Sequence, residues 1–178
     1  MAANPLPPSE LVRQLLSYDP DSGALTWLRR PREMFGSTEK FGSWNTKFAG
    51  KRAGGHRSCG YSSIRVFGKR YLVHRLVWLW MYGEPIPNEI DHIDGDPSNN
   101  RIANLRAATH SQNVANSRTY TTNTTGIRGV SMVQSRFRAE IIAKGKRYYL
   151  GLFDTLEEAT TARHKAAFRL QGKFARHV

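Results

Sequence analysis

The stretch that decides the fold covers residues 89–100 and reads EIDHIDGDPSNN. Its first five residues have the character of a β-strand, and they place a histidine directly after a carboxylate, at Asp91-His92. The rest is turn sequence, because Asp, Asn and Ser side chains bond to nearby backbone while Gly and Pro fit tight bends. We therefore predict a strand that delivers a carboxylate and an imidazole to the edge of a polar loop.

Charge sets this stretch apart from the rest of the chain. Residues 84–96 contain five acids and no Lys or Arg, although the 178-residue chain has 27 Lys and Arg against 14 Asp and Glu. A solvated turn explains such a composition by itself. A histidine beside a carboxylate also suits a catalytic site, in which one side chain binds a cation while the other transfers protons.

A second strand and a helix are expected after the loop. Thr109-His110-Ser111-Gln112 is a capping box, in which the Thr and Gln side chains bond the unpaired amides of a helix start. It predicts a short helix that carries Asn113. The local order is then strand, loop, strand and helix.

Net charge and cysteine content limit the class of protein. The net charge of +13 indicates a polyanionic partner. One cysteine, Cys59, excludes an internal disulfide and any zinc site with two or more thiolates. The N-terminus does not read as a secretory signal, and the longest apolar run, 71–83, is too short to cross a bilayer. We expect a cytoplasmic protein without a membrane partner.

The residues before the central stretch predict a helix-and-strand scaffold. Residues 29–58 have no clean hydrophobic period and are expected to be irregular. His74 stands among apolar residues, so we interpret it as a packed histidine rather than a ligand. The predicted elements are a helix capped by Ser9 with Leu11, Leu15 and Leu16 on one face, strands over 24–28 and 60–66, a turn at 67–69 and a helix from Tyr71.

A polar Thr/Asn run at 120–125 predicts a linker, and the residues after it form a separate basic module. From residue 126 onwards there are eleven Lys and Arg against four acids. Alternation places Arg136 and Arg138 on one strand face, with Lys144, Lys146 and Tyr149 alongside. The predicted elements are strands near 128–133, 137–143 and 147–150 and a helix that begins with the capping box Thr155–Glu158.

Two spacings complete the central pattern: His92 precedes Asn104 by 12 residues, and Asn104 precedes Asn113 by 9. Together with His74-Arg75-Leu76, Asn104-Leu105-Arg106 and Ser111-Gln112-Asn113, this pattern resembles the HNH endonucleases of the phage and intron-encoded homing type. That family uses a ββα-metal motif with a single divalent cation.

The resemblance implies a role for each matching residue. His92 is expected to be the general base that activates water, and Asn104 to brace the loop and hold the histidine. Asp91 and Asn113 are expected to bind the metal. The third letter of the motif is Asn rather than His, and His110, three residues earlier, leaves the ligand set open.

The residue types fit the chemistry of phosphodiester hydrolysis. Histidine, with an ordinary pKa of about 6.5, is suited to accept a proton near neutral pH. One carboxylate and one amide oxygen form a hard, open site, which suits Mg²⁺ or Mn²⁺ rather than zinc. Taken singly, Asn104 reads as a turn residue and Asn113 as a solvated helix position.

The C-terminal module resembles the Apetala/ethylene-response-factor DNA-binding domain. Its matching segments include Tyr149-Leu150-Gly151, Phe153-Asp154-Thr155 and Glu157-Glu158-Ala159. That family docks a three-stranded sheet in the major groove, with one helix packed behind it. The resemblance implies DNA contacts by Arg128, Glu140, Arg147 and Tyr149, where Tyr149 replaces the usual tryptophan. Ser131, Val133 and Ile142 depart from the arginines common in plant members, so Arg136 and Arg138 are expected to supply other contacts.

We predict an α+β protein with an HNH nuclease domain at 1–119, a linker at 120–125 and a DNA-binding sheet-and-helix domain at 126–178. Its function is metal-dependent cleavage of double-stranded DNA, with nicking by a monomer, in the cytoplasm of a bacterial host if the chain is phage-encoded. The alternatives are a catalytically silent DNA-binding regulator and an RNA-binding accessory protein. The target sequence, the physiological metal and the choice between monomer and dimer stay open.

Overall fold

The computed structural model of the protein describes residues 5–56, 60–116 and 123–175. The chain forms two compact units, Met1–Arg106 and Ala107–Val178. Each combines helices with small antiparallel sheets, so the predicted α+β class is confirmed. The predicted linker lies partly outside the described residues, and the predicted domain boundaries stay predictions. No helix among the described residues is long and apolar enough to span a membrane.

The first unit contains three helices and several short strands. Its helices are α1 (Ser9–Leu15), α2 (Thr38–Phe48) and α3 (Val73–Tyr82). Its strands are β1 (Leu16–Asp19), β2 (Ala24–Trp27), β3 (Gly55–His56), β4 (Ser62–Val66), β5 (Lys69–Leu72) and β6 (Glu89–His92), and β7 (Leu105–Ala108) begins in this unit. The sheets are the hairpin β1–β2, the three-stranded β3–β4–β5 and the pair β6–β7.

One hydrophobic core holds these elements together. Its completely buried members include Leu15, Leu25, Leu76 and Leu79. Ile90 of β6 and Leu105 of β7 belong to the same core. Burial of these apolar side chains therefore fixes the strand pair that carries Asp91 and His92.

The structure corrects the expectation that residues 29–58 are irregular. Residues Thr38–Phe48 form α2. Ser37 caps its start, where its hydroxyl accepts a hydrogen bond from the Lys40 amide. Trp44 and Phe48 of this helix pack against the core, and Trp44 meets Trp27 edge to face at 5.4 Å. The helix was missed because polar residues dominate it and its burial comes from a few aromatic rings.

Two predicted element starts are also wrong. Ser9 lies inside the first turn of α1 and makes no capping bond, because Pro8 occupies the cap position. Tyr71 belongs to β5, where it pairs with Ile64, and the helix begins two residues later. Leu16 starts β1 instead of extending α1, since its backbone pairs with Trp27.

The second unit is a helix, a three-stranded sheet and a longer helix. Its elements are α4 (His110–Asn116), β8 (Val130–Val133), β9 (Arg136–Ala143), β10 (Lys146–Phe153) and α5 (Leu156–Gln171). The sheet is antiparallel in the order β10–β9–β8, and α5 packs on one face of it. Ala139 and Ala159 are completely buried there, so small side chains let the helix lie close to the sheet. The capping box of Thr155 and Glu158 is confirmed.

Gly129 provides a test of how tightly this sheet is built. Its φ is +75°, and a Cβ there would collide with the Glu140 carbonyl oxygen and approach Arg163 Nε to 3.0 Å. Gly145 has a similar φ of +74°, but a Cβ there would meet no atom within 4 Å. We expect Gly145→Ala to lower the free energy of unfolding by about 1–2 kcal/mol, the cost of the left-handed conformation. Gly129→Ala should cost about 1–3 kcal/mol more because the backbone must also shift.

Urea denaturation followed by circular dichroism measures the free energy of unfolding of both variants. Equal losses of stability would contradict the close approach at Gly129.

Candidate functional site

Strand β6 brings two adjacent polar side chains into the interior of the first unit. Asp91 is 4% exposed and His92 is 5% exposed. The strand ends there because the chain turns, with the Gly95 amide donating to the His92 carbonyl at 2.8 Å. Buried polar groups of this kind need partners, and each has one in the structure.

Asp91 is held by an arginine from the neighbouring strand. Arg106 donates from both Nε and Nη2 to Asp91 Oδ2, at 2.8 and 2.7 Å. Both side chains are largely buried, so the pair is shielded from water and salt. Arg106 has no predicted role, although it lies in the matching segment Asn104-Leu105-Arg106. The feature that could have indicated this ion pair is the position of Arg106 in the predicted second strand, which pairs with β6.

His92 is enclosed by aromatic rings. Its ring centroid lies 5.1 Å from that of His74 and 5.9 Å from that of Tyr61. His92 Nε2 lies 3.4 Å from Asn100 Oδ1. Burial lowers the pKa of His92, against the opposing effect of Asn100 and nearby carboxylates. The imidazole is therefore neutral at pH 7 and able to accept a proton.

Asn104 organises the loop that follows β6. Its Oδ1 accepts from the Asp94 amide at 3.1 Å, and its Nδ2 donates to Asp94 Oδ1 at 3.0 Å and to the Asn99 carbonyl at 2.9 Å. Its own carbonyl accepts from Ile93 at 2.8 Å. These four hydrogen bonds connect the two ends of the loop next to His92. Asn104 therefore lies where it can stabilise the loop.

A tyrosine from the first hairpin anchors the same loop from outside. The hydroxyl of Tyr18 donates to the Asn100 carbonyl at 3.0 Å and accepts from the Ile102 amide at 2.8 Å. Neither Tyr18 nor Asn100 was predicted to support the site, because a pairing across about 80 residues leaves no local pattern in the sequence. Asn100, which approaches His92, is thus fixed by a distant strand.

The remaining motif residues lie on α4. His110 and Asn113 belong to this helix, which is part of the second unit. Its predicted capping box is confirmed: Thr109 Oγ1 accepts from the Gln112 amide at 3.3 Å and Gln112 Oε1 accepts from the Thr109 amide at 2.8 Å. The structure brings Asp91, His92 and Asn104 together within the first unit. The metal-ligand roles of Asp91 and Asn113 stay predictions.

The donor chemistry of the predicted ligands fits a hard divalent cation. A carboxylate from Asp91 and an amide oxygen from Asn113 are the ligand types that Mg²⁺ and Mn²⁺ prefer, with water completing the shell. The described residues contain no group of three or more His, Cys, Asp or Glu side chains able to hold a metal ion. Of the two predicted metal ligands, only Asp91 is a His, Cys, Asp or Glu residue. The predicted site therefore differs from zinc-enzyme sites, which use three or more of these side chains.

A second candidate surface is the sheet of the second unit. Along β9 the side chains alternate between a face buried against α5 and an outer face. The register pairs Arg147 with Ile142 and Tyr149 with Glu140, so these residues share the outer face. That face carries Arg136, Arg138, Glu140, Ile142, Arg147 and Tyr149. We call it the outer sheet face.

Ion pairs organise the cations of the outer sheet face. Glu140 lies between two arginines, 3.4 Å from Arg147 and 4.0 Å from Arg138. Arg136 contacts Asp154 at 2.8 Å. Because exposed pairs of this kind contribute only about 0–1 kcal/mol, phosphates can compete for these arginines.

Three other predicted DNA-contacting residues lie elsewhere. Arg128 is half-buried and donates to the Ala115 carbonyl at 2.9 Å. Lys144 occupies the turn between β9 and β10. Lys146 pairs with Ala143, whose side chain is buried, so alternation places Lys146 on the α5 side rather than beside Arg138 as expected. DNA contact by any of these residues stays a prediction.

Comparison with known proteins finds one matching family and two viral relatives. Residues 71–115 match the HNH endonuclease family. Protein 3.8 of Escherichia phage T7 is 36% identical over 118 residues, which cover 64% of this chain and 96% of that protein. An uncharacterized HNH endonuclease of Acanthamoeba polyphaga mimivirus is 33% identical over 118 residues, covering 65% of this chain and 61% of its own length. No solved structure matches the chain.

The buried His74 predicts a pH-dependent stability. Burial lowers the pKa of His74 from 6.5 to about 3, and the neighbouring His92 and Arg75 act in the same direction. The folded chain therefore binds fewer protons than the unfolded chain between these values, and stability falls as pH drops below 6.5. The loss is at most about 1.4 kcal/mol per pH unit from this group.

We expect His74→Leu to flatten the dependence of the urea midpoint on pH between 7.5 and 5. The matched control is His110→Leu, which makes the same substitution at an exposed position of α4 and measures the effect of the added leucine itself. An unaltered slope in His74→Leu would show that folding does not lower the pKa of His74.

Proposed function

Because this chain belongs to the HNH endonuclease family, we propose that it is a metal-dependent DNA endonuclease of the homing type with a separate DNA-binding module. The observation that carries the proposal is the buried pair of Asp91 and His92 at the end of β6, each fixed by its own partner. This pair lies inside the segment that matches the family. The neutral imidazole and the carboxylate are the two groups that phosphodiester hydrolysis needs.

In the proposed reaction His92 accepts the proton of the attacking water. Its ring is held on one side by His74 and Tyr61, and Nε2 approaches Asn100. Asn104 is a positioning residue, because its bonds keep the loop closed beside the imidazole.

Asp91 and Asn113 are the residues that would hold the divalent cation. When bound, such a cation neutralises charge on the phosphate and assists departure of the 3′ oxygen. Arg106 holds the Asp91 carboxylate in one orientation, since its Nε and Nη2 both donate to Oδ2.

Plasmid cleavage tests the catalytic part of the proposal. Supercoiled DNA is incubated with the wild-type chain and with His92→Ala, each with Mg²⁺, Mn²⁺ or EDTA. We expect the wild type to produce open circles with metal only, and His92→Ala to lose at least about 100-fold in rate, the usual contribution of a general base. A linear product would indicate paired sites or a dimer.

His110→Ala is the matched control for this loss. It removes a histidine of α4 and should retain cleavage, whereas a loss would add His110 to the metal site. Intact thermal melting and DNA binding of His92→Ala would separate a chemical defect from unfolding. Absence of cutting by the wild type on DNA that it binds would favour a silent DNA-binding regulator.

We propose that the outer sheet face holds duplex DNA in the manner of the Apetala/ethylene-response-factor domain. The support is its geometry: a three-stranded sheet with one helix behind it and exposed Arg138, Arg147 and Tyr149 on the other side. A two-stranded or three-stranded surface of this kind fits the major groove. Glu140 is suited to accept a hydrogen bond from a cytosine amino group.

Arg147→Gln should weaken duplex binding about tenfold and reduce the slope of log K against log salt by about 0.9, because one phosphate contact is lost. Lys165→Gln on α5 removes an equal exposed charge from the helix and is the control. Fluorescence anisotropy with a labelled duplex measures the affinity of both variants at several salt concentrations. An equal effect of the two variants would contradict a specific role for the outer sheet face.

A further inference from the structure

The first unit contains a cleft of about 480 Å³ that is lined by none of the predicted site residues. It lies between α2 and the sheet β3–β4–β5. Its walls include Trp27, Arg30, Trp44, Ser63, Arg65 and Phe67. The feature that needs an explanation is Arg30.

The backbone of Arg30 is fixed from both sides by one residue of α2. Asn45 Oδ1 accepts from the Arg30 amide at 2.9 Å, and Asn45 Nδ2 donates to the Arg30 carbonyl at 3.1 Å. Asn45 is itself buried. This reciprocal pair of bonds holds Arg30 at one place in the cleft before any ligand arrives.

Three aromatic rings surround the guanidinium of Arg30. Its Cζ lies 3.8 Å from the ring centroid of Trp44, 4.8 Å from that of Trp27 and 5.2 Å from that of Phe67. Cation–π contacts of this kind stabilise the charge and fix the plane of the group. The rings occupy the space beside the guanidinium and its Nε has no hydrogen-bond partner, so a new partner would bind through the N–H donors.

The charge of Arg30 has no counterion among the described residues. The side chain is only 6% exposed, its Nε is buried without a hydrogen-bond partner, and no carboxylate of the described chain pairs with it. Arginine stays protonated even when it is buried. A buried, unpaired cation is costly, so this position favours a ligand that brings negative charge.

The residues around the cleft favour an anionic ligand. Residues 29–70 contain eleven Lys and Arg against two acids. Arg65 and Ser63 lie on the same face of β4 and both line the cleft, which adds a second cation and a hydroxyl donor. A tetrahedral anion matches this set, because a guanidinium edge binds two phosphate oxygens at once.

We propose that the Arg30 cleft binds a backbone phosphate of the DNA substrate, outside the site of cleavage. The inference rests on the proposed function, since it assumes a DNA substrate. Arg30 supplies the buried charge, and Ser63 and Arg65 supply contacts at the open side. The cleft is thus a third place, besides the cleavage site and the outer sheet face, at which the chain holds the duplex.

Binding of a labelled duplex to the full-length chain in EDTA tests the proposal. Arg30→Gln should weaken binding at least about tenfold and reduce the salt slope by about 0.9, because one phosphate contact is lost. The matched control is Arg29→Gln, which removes the same charge from the preceding, exposed residue and should have a smaller effect. Equal effects of the two variants would overturn the proposal, since general electrostatics would then explain both.

A second variant closes the cleft without changing any charge. Gly55 pairs with Ser63, so a side chain there lies on the cleft side of the sheet, and a Cβ would meet no atom within 4 Å. Gly55→Leu should therefore fold normally and weaken DNA binding to a similar extent. Unchanged affinity in a folded Gly55→Leu would overturn the proposal even if Arg30→Gln proved unstable.

Inorganic phosphate distinguishes a DNA phosphate from a free anion. A phosphate-dependent change in tryptophan fluorescence that is lost in Arg30→Gln reports binding at the cleft, because Trp27 and Trp44 both contact Arg30. Phosphate binding combined with unchanged DNA affinity in Arg30→Gln would assign the cleft to a free anion and overturn the proposal. Competition between phosphate and duplex, lost in Arg30→Gln, would support it.

The endonuclease proposal is tested by a different result. It is wrong if the wild type does not cut plasmid DNA in the presence of metal, whatever the behaviour of the Arg30 variants. Failure of the cleft proposal appears in binding alone, with cleavage by the wild type intact. A wild type that does not bind duplex DNA overturns both.

Discussion

The buried ion pair of Asp91 and Arg106 is the interaction on which the candidate active site depends. Burial of a carboxylate at the end of β6 is costly unless a partner supplies hydrogen bonds and opposite charge. Loss of the guanidinium would leave that charge uncompensated, at a cost of about 3–5 kcal/mol in buried pairs of this kind. The pair also joins β6 to β7, so the same contact orients the carboxylate and links the two strands that flank the loop.

Local pattern predicted the elements whose signals lie within a few residues. The capping boxes at Thr109 and Thr155, the strand at Asp91-His92 and the three C-terminal strands all follow from short-range chemistry, and the structure contains them. Because these local signals predict both helices and short strands, the α+β class could be predicted as well, and the structure confirms it. Helix α2 was missed, because its stability comes from Trp44 packing on a distant Trp27 rather than from a regular apolar stripe.

The candidate site was predictable as a set of residue types but not as a set of contacts. Asp91, His92 and Asn104 stand out by spacing, and they do lie together in the first unit. Their partners do not stand out, because Arg106, Asn100 and Tyr18 are ordinary residues whose importance comes from pairing across the fold. His74 was correctly interpreted as a buried histidine, but its contact with His92 required the structure. The assignments of catalytic, metal and DNA-binding roles stay predictions.

The bonds from Tyr18 to the loop at Asn100 and Ile102 set a lower limit on the size of a catalytic fragment. The segment that matches the HNH family begins only at Tyr71, so trimming the chain to that segment looks reasonable from sequence alone. Such a fragment would lack the hydroxyl that clamps the loop beside His92, as well as Leu15 and Leu16 of the core. A minimal nuclease engineered from this chain therefore has to begin ahead of the first hairpin.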